Sequence, residues 1–338
     1  MAPQTATSLD YLAANVHARR SRMAEGDRLR RLLRLRTVPD LSRVLYPARE
    51  PAVTAADLQR RLVRDQAGEL AQLAGCVGGA GGEVLDWLGT RLAVENLKVL
   101  ARGFAGRLRP EVVRPHLVAV AGPPPDPEPL VSAADVDAFL AHLPEGPLRD
   151  GAARGADLYR VRPRSFALEA GLDAGYLCEL VARADAAPDR EHVLRPVEQE
   201  VHVFQMMLAA RGRFVFGLEA EALEPFAVQP SALARLLAAA DLEALARAAV
   251  GSAIDRMPPG PAAAVDPADL EALAWDRYAR VANTTFRRSH MGLGAVVAYT
   301  ALRRVELANL IRLSEGIRLG VGPEAIRDRL IPREAGAA

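Results

Sequence analysis

The sequence predicts an all-α fold, and three observations lead to that prediction. Half of the 338 residues are hydrophobic while only 5% are aromatic, and Ala, Leu, Arg and Glu dominate, which favours helix by intrinsic propensity. Apolar side chains recur at helical spacing, as in Leu97, Leu100 and Phe104 at i, i+3 and i+7. The best strand candidates, around Val118 and Val215, are short and weak. We therefore expect a core built from helices alone.

The first helical segment is expected from Leu9 to about Leu45, with a break near Gly26 and an end around Pro39. Inside it, residues 28–36 read RLRRLLRLR. At 100° per residue, one face of this helix collects leucines and the opposite face collects arginines. The leucines are Leu29, Leu32 and Leu33, and the arginines are Arg30, Arg31 and Arg34. Two interpretations of the basic face stay open, a solvated surface and a docking surface for an acidic partner.

A second helix is expected over residues 55–74, followed by a flexible glycine-rich loop at residues 75–83 and a long helix over residues 83–105. Glycine-rich loops can bind phosphate, but no strand precedes this loop and it carries no lysine. Lys98 is the only lysine of the chain, which excludes a GK[ST] phosphate loop. Phosphate binding is therefore disfavoured.

The long helix is expected to end in a glycine-containing turn, after which a short helix begins at Pro110. Glycine accepts the left-handed conformation that a helix C-terminus often needs, and proline followed by an acidic residue is a helix-start signal. The same unit recurs near the end of the chain and aligns with the first without a gap. The matched pairs are Asn96 with Asn309, Leu97 with Leu310, Leu100 with Leu313, Gly103 with Gly316, Pro110 with Pro323 and Glu111 with Glu324.

A weaker copy lies about midway between these two. Its apolar positions are Met207, Ala210 and Phe214, and its short helix begins near Glu221 and Leu223. In this alignment Met206 replaces the asparagine and Arg213 replaces the glycine of the turn. Solenoid repeats span about 20–50 residues, and the repeat here is more than twice as long. The longer period favours closed, pseudo-threefold packing of three similar helical lobes.

Proline-rich segments at residues 122–129 and 257–267 are predicted linkers. They divide the chain into a first lobe at residues 1–121, a second lobe with the degenerate repeat at residues 130–256, and the third repeat at residues 268–338. The N-terminal helix is a candidate to complete the third lobe.

Composition and motifs exclude several functions. A net charge of +1 argues against a general affinity for nucleic acid or acidic lipid. Cys76 and Cys178 stand alone, and the six histidines form no HExxH motif. The first residues, MAPQTATSLD, lack a basic n-region and an apolar h-region, so we expect no signal peptide, and the sequence contains no run of about 18 apolar residues. We expect a soluble, cytoplasmic, non-enzymatic protein with no catalytic, cofactor or metal site.

The enzyme alternative rests on one acid and histidine cluster, in RPVEQEVHVF at residues 195–204. Glu198 and His202 stand at i and i+4 and share a helical face, as metal ligands can. Glu200 and His192 lie nearby. A single such pair is far more often a surface contact, so a metal site is disfavoured.

Asn96 and Asn309 are unusual because asparagine is a poor residue inside a helix. The structural interpretation is a buried amide that bonds a neighbouring helix and fixes packing register, since buried polar groups need partners. The alternative is direct contact with a partner protein.

Three stretches resemble the C-type rotor subunit of bacterial and archaeal V-type ATPases, which is related to the d-type subunit of the eukaryotic enzymes. They are YLAANVHARRSRM at residues 11–23, ENLKVLARGF at residues 95–104, and the stretch from residue 290 to 330. The last carries Glu306, Asn309 and Leu310, then Gly316 and a Gly-x-x-Pro-Glu turn. The chain departs from the family pattern at Arg107, where a glycine is usual, as well as in the second copy.

The resemblance implies a funnel-shaped protein of three helical lobes, without catalytic residues. It implies an adaptor on the cytoplasmic face of the membrane that links the central stalk to the proteolipid ring and transmits torque during coupled ATP hydrolysis or synthesis and ion transport. The candidate partner contacts are Arg30, Arg31, Arg34, Arg312 and Arg318, with solvated faces as the alternative. The competing hypothesis is a helical scaffold unrelated to rotary ATPases.

Overall fold

A computed structural model describes residues 4–120, 123–250 and 266–332 of the chain. The described residues form α-helices and short 3₁₀ and π segments, with no strand, so the all-α prediction is confirmed. The helices are α1 (Gln4–Arg20), α2 (Gly26–Leu32), α3 (Val38–Leu45), α4 (Ala55–Ala74), α5 (Gly79–Ala105), α6 (Pro110–Val113), α7 (Glu128–Val131), α8 (Val136–Ala141), α9 (Pro147–Arg154), α10 (Ala156–Val161), α11 (Ser165–Ala186), α12 (Arg190–Ala209), α13 (Pro230–Leu237), α14 (Leu242–Val250), α15 (Pro267–Ser289), α16 (Leu293–Arg318) and α17 (Pro323–Arg327).

Side-chain caps explain several helix starts. The Thr37 hydroxyl accepts a hydrogen bond from the backbone N–H of Asp40 (3.2 Å) at the start of α3, and Thr54 does the same for Asp57 (3.1 Å) at the start of α4. Each cap satisfies one of the free N–H groups that open a helix. The short helices α6 and α17 begin at Pro110 and Pro323, where proline loses no hydrogen bond.

The N-terminal segment differs from the sequence prediction. It forms three helices, because the chain turns again between Leu32 and Val38. Pro39 lies in the first turn of α3 and so starts a helix instead of ending one. Arg34 lies beyond the end of α2, and its N–H donates to the carbonyl of Arg31 at 3.2 Å. The glycine-rich loop is also shorter than expected, since α5 already begins at Gly79.

The described residues group into two compact units. The first unit comprises residues 1–86, 187–196 and 275–338, and the second comprises residues 87–186 and 197–274, in each case where described. The division into three lobes at residues 1–121, 130–256 and 268–338 stays a prediction. Most of the predicted linker at residues 257–267 lies outside the described residues.

The first unit has an apolar core in which α2, α3 and α4 pack against α16 and α17. The leucines predicted on one face of α2 contribute to it, because Leu32 and Leu33 are buried and Leu29 packs against the cluster. The remaining members are Ala24, Val38, Leu41, Ala52, Ala55, Leu58, Leu62, Leu310, Leu313, Ile326 and Leu330. Its contributors come from both ends of the chain.

In the second unit, α9 and α11 pack backbone against backbone. A Cβ atom on Gly171 would lie 2.4 Å from the carbonyl oxygen of Gly151, and one on Gly175 would lie 2.2 Å from that of Pro147. Only glycine fits at contacts this short. Among the residues described, no helix combines the length and the apolar character that crossing a bilayer requires.

Candidate functional site

The long helices α5 and α16 end in the same turn. Arg107 and Gly320 adopt positive φ angles of 49° and 68°. In the first turn the backbone N–H of Leu108 donates to the carbonyl of Gly103 (2.9 Å). In the other turn the N–H of Val321 donates to the carbonyl of Gly316 (2.8 Å). This left-handed residue with a 6→1 hydrogen bond is a common way to satisfy the last carbonyls of a helix.

The same two glycines let the short helix fold back onto the long one. A Cβ atom on Gly103 would lie 2.7 Å from Cγ2 of Val113, and one on Gly316 would lie 2.6 Å from Cδ1 of Ile326. Val113 and Ile326 are both buried. Glycine is therefore required at these positions for close contact between helices rather than for a special φ angle.

The two asparagines close each fold-back with a pair of hydrogen bonds. Asn96 Nδ2 donates to the carbonyl of Val118 (2.7 Å), and the N–H of Val118 donates to Asn96 Oδ1 (3.0 Å). Asn309 and Ile331 form the same pair at 2.6 and 2.9 Å. The asparagines are 6% and 3% exposed. Each amide thus bonds the chain segment that follows its own short helix, instead of the neighbouring helix that we expected.

The second copy uses other residues than the ungapped alignment indicated. The side chain Oε1 of Gln205 accepts from the N–H groups of Val228 (3.0 Å) and Gln229 (2.6 Å). Gln205 therefore binds the returning segment in place of Met206. A Cβ atom on Gly212 would lie 2.6 Å from the side chain of Leu223, so Gly212 takes the place that the alignment gave to Arg213.

A π-helix explains why the alignment slipped. The chain continues from α12 into a π segment at Ala210–Val215, and a π turn accommodates one more residue than an α turn. Gln205 and Gly212 are seven residues apart, as are Asn96 and Gly103. Gly217, with φ of 61°, follows five residues after Gly212. The corresponding spacing in the first copy is four, from Gly103 to Arg107. The seven-residue spacing between a side-chain amide and a glycine was the sequence signal that could have given the correct alignment of the second copy with the first.

The candidate contact arginines all lie in the first unit. Arg30, Arg31, Arg34 and Arg318 are exposed and Arg312 is half-buried. Arg30 pairs with Asp27 and Arg318 with Glu315, at 2.6 and 2.7 Å. Because Arg34 lies beyond the end of α2, the three arginines do not form the single basic helix face that the sequence predicted.

The acid and histidine pair of α12 has a structural partner. His202 Nε2 lies 2.9 Å from the carbonyl oxygen of Ala249. A carbonyl only accepts, so this nitrogen carries the proton and donates. Glu198 is exposed. Within the described ranges, no three histidine, cysteine or acidic side chains come together in a way that could hold a metal ion.

A buried ion cluster ties α5 to α11 in the second unit. Arg91 and Lys98 contact Asp173 at 2.6 and 3.0 Å, and both also contact Glu95. Burial alone would raise the pKa of Asp173, but the two cations hold it below its ordinary value of 3.8. Burial likewise opposes the charged form of Arg91, whose pKa the Asp173 and Glu95 carboxylates hold above its usual range. The only lysine of the chain is thus part of a packed helix pair.

A second cluster lies in the first unit around Glu69. Its carboxylate accepts from Arg19 (3.1 Å), Arg303 (2.9 Å) and Tyr299 (2.5 Å). Arg303 also pairs with Glu306, which is buried and accepts the N–H of Ala24 at 2.5 Å. The acidic residue of the C-terminal motif therefore joins α16 to the end of the α1 segment.

A model of the family described as ATP synthase (C/AC39) subunit matches residues 12–329. Comparison with curated proteins gave no match. The family match begins in α1, ends just beyond α17, and includes all three fold-back turns. The chain therefore belongs to the ATP synthase (C/AC39) subunit family, whose members are non-catalytic subunits of V-type ATP synthase complexes.

Proposed function

We propose that this protein is a central-rotor adaptor of a V-type ATPase, which links the central stalk to the membrane proteolipid ring and transmits torque between them. The observation that carries the proposal is the family match over residues 12–329. In this proposal the protein lies at the cytoplasmic face of the membrane as a peripheral part of the complex. Its three similar lobes form a funnel that receives the stalk.

The internal contacts support a mechanical role. A body that transmits torque must resist deformation, and long helices resist it best when their ends are fixed. The chain segment that returns after each long helix is held by hydrogen bonds to a buried side-chain amide, that of Asn96, Gln205 or Asn309. The buried pair of Arg91 and Asp173 adds a cross-link between two helices. Buried hydrogen bonds and ion pairs of this kind rigidify a fold.

Affinity purification tests the assembly. The tagged chain is purified from membranes solubilised in mild detergent, with the untagged chain as background, and co-purifying proteins are identified by mass spectrometry. We expect the proteolipid ring together with central-stalk and catalytic subunits. Recovery of none of them, from membranes whose ATPase is intact, would contradict the proposal and favour the unrelated helical scaffold.

Depletion of the chain tests torque transmission. An adaptor between motor and ring is needed for coupling but not for the chemistry of ATP hydrolysis. We therefore expect membranes without the chain to hydrolyse ATP while ATP-driven ion pumping is lost. Pumping that persists in the absence of the chain would contradict the adaptor role even if the chain co-purifies with the complex.

A further inference from the structure

The C-terminal half of α15 carries a concentration of positive charge. Between Trp275 and Ser289 the helix contains four arginines and one acidic residue, Asp276, which is buried. The arginines are Arg277, Arg280, Arg287 and Arg288, and all four are exposed. Within the part of the chain that the structure describes, none of the four is paired with a carboxylate.

Two surface arginines on other helices of the first unit show a different pattern. Arg43 pairs with Asp40 and Arg60 with Asp57, in both cases at 2.6 Å and three residues apart. Such pairs at i, i+3 and i, i+4 neutralise charge within one helix. The α15 sequence offers no acid at these spacings on its exposed face. Its charge is therefore available to a group outside the helix.

A groove runs beside this charge. Arg280, Asn283 and Arg287 follow one another at i, i+3 and i+7, which places them along one face of α15. Two adjoining cavities of about 290 and 310 Å³ both include Asn283 and Arg20 in their walls. Arg280 lines the first cavity, and Arg287 lines the second together with His17 and His290.

Arg20 of α1 forms the middle of the groove and retains an unused donor. Its side chain is 16% exposed and lies over the ring of Phe286, 4.6 Å from the ring centroid. Nη2 donates to Glu25 (3.3 Å) and Asn283 (3.0 Å). Nη1 is buried without a hydrogen-bond partner among the described residues. A buried donor left unpaired is costly, so the partners that Arg20 has in the protein satisfy its guanidinium only in part.

The groove also has an apolar wall. The first cavity is lined by leucine and valine side chains of α2 and α16 and by the segment after α17; they include Leu29, Leu33, Leu302, Val305 and Leu330. Arg30, one of the candidate contacts from the sequence, lies at the same cavity. A ligand for this groove therefore needs both acidic groups and an apolar side chain.

The spacing of the cations determines the size of the ligand. Arg280 and Arg287 are seven residues apart, which is about 10 Å along the helix axis at 1.5 Å per residue. One phosphate or one carboxylate is too small to reach both. Acidic residues two turns apart on a partner helix match this distance, and an apolar residue between them faces the same way. We propose that the α15 groove binds an acidic amphipathic helix of a partner protein.

This inference rests on the proposed function in one respect, since the assembly supplies the partner helix. A flat anionic lipid surface fits less well, because Arg20 and the apolar residues line a concave groove. Charge complementarity of this kind sets orientation and association rate as well as affinity. Binding should therefore weaken as salt is raised.

The test uses the full chain and two synthetic helical peptides of about 18 residues, or five turns. One peptide has glutamates seven residues apart with leucine between them, and the other has glutamines in place of the glutamates. Binding is measured by fluorescence anisotropy for the wild type, for Arg280→Glu with Arg287→Glu, and for the control Arg43→Glu with Arg60→Glu. Thermal unfolding verifies that each variant is folded.

We expect the wild type and the control to bind the glutamate peptide at least about tenfold more tightly than the α15 variant does. The glutamine peptide should bind weakly to all three proteins. Equal affinity of the glutamate peptide for the wild type and the α15 variant would overturn the inference. So would stronger binding to anionic lipid vesicles than to the peptide, if the α15 variant abolished that vesicle binding.

Co-purification from membranes separates this inference from the proposed function. If the wild-type chain recovers no ATPase subunit, the adaptor proposal fails whatever the peptides show. If the wild type recovers the complex and the α15 variant recovers the same subunits in the same amounts, the groove inference alone fails. If the α15 variant co-purifies with only some of the subunits that the wild type recovers, the adaptor proposal and the groove inference are both supported, and the missing subunits identify the partner.

Discussion

Asn309 and Ile331 form a closed pair in which the asparagine side chain bonds both the N–H (2.9 Å) and the carbonyl (2.6 Å) of the same residue. The two residues are separated by the whole of α17 and its flanking turns, and both are buried. The side-chain amide therefore satisfies both backbone hydrogen-bonding groups of Ile331, as a neighbouring strand would in a β-sheet. It fixes α17 between α16 and the segment after α17, and Asn96 does the same for α6.

Loss of this amide should destabilise the protein substantially. In Asn309→Ala the N–H and carbonyl of Ile331 remain buried without partners, and we expect a loss of about 2–3 kcal/mol in the free energy of unfolding. Urea unfolding monitored by circular dichroism measures the effect. Thr284→Ala, an exposed helical substitution, serves as the control and should change stability by less than about 0.5 kcal/mol. Equal effects of the two substitutions would refute the role given to Asn309.

Two glycines of the same helix should respond to alanine in opposite directions. Gly103→Ala places a methyl group 2.7 Å from Val113, whereas Gly89→Ala meets no atom within 4 Å. We expect the first to destabilise by about 1–3 kcal/mol through overpacking. The second should stabilise by up to about 1 kcal/mol, because alanine is the better helix former.

A double-mutant cycle identifies the cause. The variant that combines Gly103→Ala with Val113→Ala removes the nearest clashing group, so it should be less destabilised than the two single effects predict by addition. Strict additivity of the two substitutions would show that the contact between Gly103 and Val113 is not responsible.

The positive φ angle of Arg107 should lower stability. A residue with a Cβ atom costs about 1 kcal/mol in the left-handed region compared with glycine, and Arg107 has φ of 49°. Arg107→Gly should therefore raise the free energy of unfolding by about 1 kcal/mol. The reverse change at the matching turn, Gly320→Ala at φ of 68°, should lower it by a similar amount. Thermal melts of both variants measure this, and shifts of the same sign in both would contradict it.

Asp173 should make stability depend on acid pH. Its pKa in the folded protein is held below 3.8 by Arg91 and Lys98 against the effect of burial. The unfolded chain therefore binds a proton at higher pH than the folded protein does. The stabilisation by the charged pair is present above about pH 4 and is lost as the pH falls through the lowered pKa.

Asp173→Asn should reduce this dependence on pH. The variant leaves Arg91 and Lys98 buried with less compensation, so we expect a loss of about 3–5 kcal/mol at neutral pH. Urea midpoints measured from about pH 6 down to pH 3 should fall less steeply for the variant than for the wild type. Asp137→Asn, at an exposed position in the first turn of α8, is the matched control. A variant curve parallel to that of the wild type would contradict the prediction.

The sequence predicted the parts of the fold that depend on neighbouring residues. Helical spacing gave the all-α class, and the proline and glycine positions gave the long helix, turn and short helix at residues 96–117 and 309–330. The pairs Asn96 with Asn309 and Gly103 with Gly316 were found by the repeat alone. Hydrophobic periodicity placed Leu29, Leu32 and Leu33 on the buried side of their helix.

Other features depended on segments that are distant in the sequence. Each asparagine bonds a residue on the far side of its short helix, and the glycine contact between Gly151 and Gly171 joins two helices. The equivalents in the second copy, Gln205 and Gly212, were missed because the π segment changes the spacing by one residue. The groove beside α15 needs residues from both ends of the chain.

The sequence by itself determined the helices, their caps and the recurring turn, because propensity, periodicity and left-handed glycines act within a few residues of the chain. Only the tertiary structure decided which backbone groups the buried amides bond, where glycine is needed for contact, and which arginines find a carboxylate partner among the described residues. The physical reason is that these properties belong to pairs of segments. A hydrogen bond that spans an entire helix and its turns, or a contact too short for a Cβ atom, exists only once packing has brought both segments together.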